Sequence, residues 1–151
     1  MPTPSVQDIK FLRDRTGMSL ADCRQALIEA RGDRGAALAV LAERGAAIAE
    51  KKSTRETHEG RIEAYIHGNG KIAALVELQC ETDFVARNEL FKGFAHDAAM
   101  QVAAMNPESA EALLGQAFIR DPNKTVGQYL VEIVARLGEN IKITRFARWE
   151  L

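Results

Sequence analysis

The run "RIEAYIHGNGKIAALVELQC", Arg61 to Cys80, constrains the fold more than any other part of this chain. Its apolar residues recur at every second position. Ile62, Ala64 and Ile66 share one face of the first half; Ala74, Val76, Leu78 and Cys80 share one face of the second. Period two belongs to strands, because successive side chains point to opposite sides of a pleated backbone. Between the halves lies His67-Gly68-Asn69-Gly70-Lys71, whose glycines and asparagine tolerate positive φ, so the run is predicted to be an antiparallel β-hairpin. The "GNGK" in that turn resembles a phosphate loop only superficially. A true one has a longer glycine frame, a Ser or Thr after the Lys and a helix starting at the phosphates, whereas a strand follows here.

The period is helical on either side. Ser5 caps a first helix carrying Ile9 and Leu12 and ending at Gly17. Ser19, with Asp22 at the capping-box position, opens a second helix with Leu20, Cys23, Leu27 and Ala30 on one face, closed by Gly32. Asp33 caps a third, with Leu38 and Leu41 inward and Gly45 as its stop. Three such short helices hold little core and must lean on something else. The polar stretch "AAIAEKKSTRETHEG" has the composition of a linker or an exposed helix. Three units follow: a three-helix domain over residues 1–50, a linker over 51–60 and an α+β core domain over 61–151.

Within that core, Asn88 caps a long helix with Phe91, Phe94, Ala95, Ala98, Val102 and Met105 on its buried side, stopped by Pro107. Residues 108–123 read as a short helix or turn and then a loop at Asp121-Pro122-Asn123. Thr125 and Gln128 form a capping box for a helix burying Val126, Leu130, Ile133, Val134 and Leu137 and ending at Gly138. "NIKITRFARWEL" alternates again as a third strand. The expected class is α+β: three N-terminal helices, then a small three-stranded antiparallel sheet packed with helices.

Chemistry is sparse. His58, His67 and His96 have neither metal-ligand spacing nor a nucleophile beside them, and no acid/base pair stands out. Cys23 and Cys80 sit in apolar-periodic segments and read as buried thiols. No catalytic residue, metal or cofactor is assigned. A net charge of −1 supplies no general basic field for nucleic acid. Lys51, Lys52 and Arg55 could meet phosphates or an acidic partner face, but their composition favours a solvated linker. No apolar run reaches membrane-span length and no signal or transit peptide is evident, so a cytoplasmic location is expected, with neither nucleic acid nor membrane as partner.

One junction resists the bland reading. In "CETDFVARNELF", Cys80 to Phe91, the apolar pair Phe84-Val85 stands where the chain passes from strand to helix. Either Thr82 or Asp83 caps a turn with Phe84 and Val85 packed beneath it, or Phe84 projects as an interface anchor beside a charged residue. Periodicity does not choose between them.

"ETDFVARNELF" resembles the signature of the bacterial elongation factor Ts family. So do "LRDRTGMSLADCRQAL", "EARGD", "ERGA", "AEKKSTRETHEG", "AYIHGNGKIAALVELQCETDFVARN", "QAFIRDPNKTVGQYL" and "LGENIKITRFARWE", in the family's order over nearly the whole chain. Two departures stand out: "TGMSLADC" replaces the commoner "TGAGMMDC", and only Glu108 to Gly115 bridges "MNP" and "QAFIRDP", where family members carry a longer segment.

The resemblance implies a ubiquitin-associated-like N-terminal domain that docks on elongation factor Tu, GDP-bound or nucleotide-free. It also implies a guanine-nucleotide exchange factor without bond chemistry, acting in translation elongation. Thr82, Asp83, Phe84 and Val85 would form the wedge that disturbs the partner's Mg²⁺ and nucleotide site. Arg13, Thr16, Gly17 and Met18 would supply the N-terminal contact, with Cys23 packing the bundle. The short bridge further implies a core that pairs with itself through its sheet. A Tu-binding scaffold without exchange activity is the alternative.

Overall fold

A computed structural model describes residues 3–151. Three helices come first: α1 (Val6–Thr16), α2 (Leu20–Glu29) and α3 (Arg34–Lys52). Their caps are those the sequence offers. Ser5 accepts from the Asp8 amide, Ser19 from Asp22 and Asp33 from Ala36, each satisfying a donor that the first helical turn leaves orphaned. Leu12, Met18, Cys23, Ala26, Leu27, Ala37 and Leu41 close into one apolar cluster.

α3 does not stop at Gly45. It runs seven residues further, because Gly45 lies buried against Ala135 of the helix packed beside it, α7 (Val126–Leu137). A glycine inside a helix costs about 1 kcal/mol relative to alanine. Here close approach of the two helices offsets that cost, and the N-terminal cluster meets the core along α3 and α7. The expected linker over 51–60 is correspondingly shorter: α3 keeps Lys51 and Lys52, and β1 (Glu59–His67) begins at Glu59. The intervening chain is held by buried Asn140, whose amide donates to the carbonyls of Ser53 (3.4 Å) and Arg55 (2.8 Å).

β1 pairs antiparallel with β2 (Ile72–Cys80), and β2 with β5 (Lys142–Glu150), giving the order β1-β2-β5. The hairpin turn uses Gly70 at φ 79°, with its amide donating to the His67 carbonyl at 2.9 Å. Residues 81–88 lead through α4 (Asp83–Ala86) into α5 (Glu89–Met105), capped by Asn88, and α5 lies across β1 and β2. Phe91, Phe94, Ala95, Ala98 and Val102 are buried against Val76, Leu78 and Cys80 in the core cluster. Met105, expected on that buried side, is half exposed at the helix end, where Asn106 (φ 45°) takes the left-handed cap. α6 (Ala110–Gly115) follows. The loop expected near Asp121 is instead a short ribbon, β3 (Ala117–Phe118) with β4 (Asp121–Thr125). Its anchor is the fully buried Gln101 side chain, which accepts from the Ile119 amide and donates to the Ala117 carbonyl. The Thr125–Gln128 capping box opens α7, and Gly138 (φ 75°) closes it.

The register separates the two apolar stripes of the hairpin. Ala64 stands opposite Leu75 and Tyr65 opposite Ala74, so β2 buries Ala74, Val76 and Leu78 while β1 turns Arg61, Glu63 and Tyr65 to the same side. Ile62, Ala64 and Ile66 therefore lie on the outer face with Leu75 and Trp149, which no element of the described chain covers.

Candidate functional site

The junction after β2 is a four-residue helix fastened from two sides. Thr82 is its N-cap, and the Thr82 hydroxyl accepts from the Val85 amide (3.4 Å). The Glu139 carboxylate reaches it from just beyond α7. Glu139 Oε1 accepts from the amides of Glu81 (3.1 Å) and Thr82 (3.0 Å), and Oε2 accepts from the Thr82 hydroxyl (2.7 Å). The Cys80 thiol donates to the Thr82 carbonyl at 3.2 Å. Val85 and Ala86 enter the main core cluster.

Fixed in this way, the turn sends its remaining side chains outward. Phe84 is 79% exposed, while Val85 beside it is 9% exposed. Asp83 forms an exposed ion pair with Arg87 at 2.6 Å, one turn along the chain. The four junction residues thus divide. Thr82 and Val85 anchor the turn; Asp83 and Phe84 are presented. An exposed aromatic next to a charged group on a rigid base has the chemistry of an interface anchor.

The N-terminal candidates divide as well. The Arg13 side chain is exposed on α1. Thr16 is half-buried, its hydroxyl donating to the Leu12 carbonyl and accepting from the Met18 amide. Gly17 (φ 67°) turns the chain against Arg136 of α7, whose Nε donates to the Thr16 carbonyl (3.1 Å) and Nη2 to the Arg15 carbonyl (2.6 Å). The Met18 side chain is buried in the N-terminal cluster, so it serves packing in the free chain. A shallow groove of about 540 Å³ between α1 and α2 is lined by apolar Val6, Ile9 and Leu20 and by charged Lys10, Arg13, Asp14 and Arg24. Sequence periodicity assigned Leu20 inward. It is exposed because it directly follows the Ser19 cap, outside the arc that packs on α3, and Val6 stands in the same place after Ser5.

Glu139 and Arg136 were not singled out by sequence. Their partners lie 57 and 121 residues away in the chain, beyond the reach of any local pattern.

Burial, and then the nearby Glu139 charge, pushes the Cys80 thiol up to about 11; burial also raises Cys23. Both remain protonated thiols near neutrality, poor nucleophiles and poor metal ligands. Among the described residues, no group of three or more His, Cys, Asp or Glu side chains converges as a metal site. No described helix is long and apolar enough to cross a membrane. A groove of about 970 Å³ between α3 and α7 carries Lys124 and Glu132, which pair with each other at 2.9 Å.

Comparison with known proteins matches this arrangement to one family. The family model described as Elongation factor TS matches residues 81–151, the stretch from the junction to the last strand. The chain is 41% identical to Elongation factor Ts of Rubrobacter xylanophilus, covering 97% of this chain and 98% of that protein. It is also 41% identical to Elongation factor Ts of Caldanaerobacter subterraneus, covering 97% and 96%, and to that of Finegoldia magna, covering 95% and 87%. The Rubrobacter alignment runs over 191 residues although this chain has 151, so that relative carries residues with no counterpart here.

Proposed function

The chain belongs to the elongation factor Ts family of translation elongation factors, and on that premise we propose that it speeds GDP release from elongation factor Tu. The observation that carries the reading is Phe84, a large aromatic held out to solvent on a turn whose next residue is core. The partner holds GDP through phosphate contacts and a Mg²⁺ ion that neutralises their charge. Phe84 enters beside that site as a wedge, with Asp83 as its polar companion and Thr82 and Val85 as its base. Displacing the elements that ligate Mg²⁺ weakens the phosphate cradle, and GDP leaves faster.

Nothing in this mechanism makes or breaks a covalent bond, and the chain needs no cofactor for it. Linkage demands reciprocity: whatever factor this protein takes from nucleotide affinity, nucleotide takes from the affinity of the complex. The GDP-bound and nucleotide-free partners are both bound, and incoming GTP releases the exchange factor. Residues 1–50 act as a ubiquitin-associated-like docking unit on the partner's nucleotide-binding domain. Arg13 supplies the exposed contact, and the Thr16–Met18 turn sets its height. The core over 61–151 carries the wedge, and the site of action is the cytoplasm.

The core also pairs with a second copy of itself through the outer face of its sheet. Ile62, Ile66, Leu75 and Trp149 form an uncovered apolar strip across all three strands. The charged couple Glu77 and Arg145 beside it, paired at 2.8 Å, is internally neutralised. Two such faces are compatible about a twofold axis, since an isologous interface sets like against like. Self-association covers the sheet face opposite α5, which the chain itself leaves bare.

The test is release of fluorescent GDP from the cognate Tu factor with and without this protein. Accelerated release is expected at micromolar concentration. A stable complex with unchanged release would replace the exchange reading by a scaffold reading.

A further inference from the structure

We infer that the C-terminal end of α7 is a bracket that fixes the spacing between the wedge and the N-terminal docking unit, with Arg136 and Glu139 as its two positioning residues. The inference rests on the exchange reading for its functional consequence and on geometry for its substance.

Arg136 lies in the last turn of α7, Gly138 reverses the backbone, and Glu139 follows at once. The reversal lets two oppositely charged side chains only three residues apart serve two distant elements. Arg136 donates to the carbonyls of Arg15 and Thr16, which end α1 and have no onward helical partner. The glycine at position 17 lets the aliphatic part of Arg136 lie flat on the turn, because a Cβ there would collide with Arg136 Cγ. Glu139 does the converse. Its carboxylate collects the amides of Glu81 and Thr82, the donors that precede α4, together with the Thr82 hydroxyl. A cation satisfies carbonyls at one contact region and an anion satisfies amides at the other. Charge-assisted hydrogen bonds of this kind are the short, directional ones.

Each contact region has further anchors within its own cluster: Met18 for the turn, Val85 and Ala86 for α4. Those anchors keep each region folded. Packing of α3 on α7 sets the two clusters side by side, and Arg136 and Glu139 add a shared reference for the two contact regions at one helix end. A wedge set at a given distance from its docking unit reaches the partner's nucleotide site without a search, and that is a gain from preorganisation.

The experiment compares full-length wild type with Glu139→Ala, Glu139→Gln and Arg136→Ala. On the free chain, hydrogen exchange of the Glu81 and Thr82 amides is followed by NMR, and spin labels on α1 and α5 report the spacing. Glu139→Ala is expected to expose those two amides to exchange, and Arg136→Ala to broaden the label distance. In the GDP-release assay, Glu139→Ala is expected to lower the maximal rate by about tenfold or more, since small misplacements of a working group are costly. Glu139→Gln keeps a carbonyl oxygen for the two amides and is expected to recover most of that maximum. Arg136→Ala is expected to raise the half-saturating concentration by roughly tenfold, because two contacts no longer preset to one spacing lose effective concentration for each other. Variants that melt at lower temperature, yet keep wild-type amide protection, label distance and both kinetic parameters where folded, would overturn the bracket. If wild type itself does not accelerate release, the exchange reading fails, and the amide and distance measurements still decide the bracket.

Discussion

Phe84 and Val85 are consecutive residues on one helical turn, yet Phe84 is 79% exposed and Val85 is 9% exposed. The two readings of the junction, core filler and presented anchor, therefore apply to different residues. Val85 is core, and Phe84 has the exposure that the second reading requires. The division follows from how α4 is fastened: Thr82 is clamped by Glu139 and Ala86 sits in the core, so a four-residue helix has no freedom to roll the ring inward.

This division has a direct thermodynamic consequence. Phe84→Ala should change stability by no more than about 0.5 kcal/mol, as for an exposed surface position. Val85→Ala removes buried methyl groups and should cost about 2 kcal/mol. Chemical denaturation of both variants checks the contrast, and equal costs would place both side chains in the core.

The outer face of the sheet should control association. Trp149 is 77% exposed beside Ile66 and Leu75. Sedimentation of wild type over a concentration series should show a dimer, whereas Trp149→Glu with Ile66→Lys should sediment as a folded monomer. A wild-type chain that stays monomeric throughout would remove the sheet-to-sheet pairing.

Gly17 should not tolerate a side chain. Its φ of 67° and the Arg136 stem packed on it oppose a Cβ independently. Gly17→Ala should lower stability by about 1–3 kcal/mol, the scale of non-glycine residues held in the left-handed region. Thermal melting reads this directly, and an unchanged melting temperature would argue against the packing of Arg136 over the turn.

Two groups give the pH dependence opposite signs. The Cys80 thiol is raised by burial to about 11, from an ordinary value of 9.0. Its contribution to stability is whole below the unfolded value and is lost as pH rises through the folded one. Native protein should therefore resist iodoacetamide at pH 8 and react on unfolding. Glu77 is lowered, first by the Thr144 hydroxyl and then by Arg145. Its contribution is present above the unfolded value of 4.5 and is lost as pH falls through the depressed one. An NMR titration showing Glu77 at or above its ordinary value would contradict the cross-strand pairing.

Local signals carried much of the fold. Ser5, Ser19, Asp33, Asn88 and the Thr125–Gln128 box all cap as their spacing suggests, since a cap is decided within four residues. Gly45 misled because a stop and a close helix crossing demand the same residue, and the crossing partner, Ala135, is ninety positions away. The outward face of Ile62 and Ile66 was hidden for a related reason: alternation shows that a strand has two faces, and only pairing with β2 and cover by α5 decides which is inside. Within the junction, four helical residues are too few to show a period, and the exposure of Phe84 depends on the distant Glu139 clamp and the burial of Val85.

The measurement that tests the central claim most directly is the GDP release rate from elongation factor Tu at saturating exchange factor, for wild type and Phe84→Ala side by side. The account expects wild type to accelerate release strongly and Phe84→Ala to lose most of that acceleration while binding the partner and melting as wild type does. Full acceleration by a folded Phe84→Ala protein would contradict it.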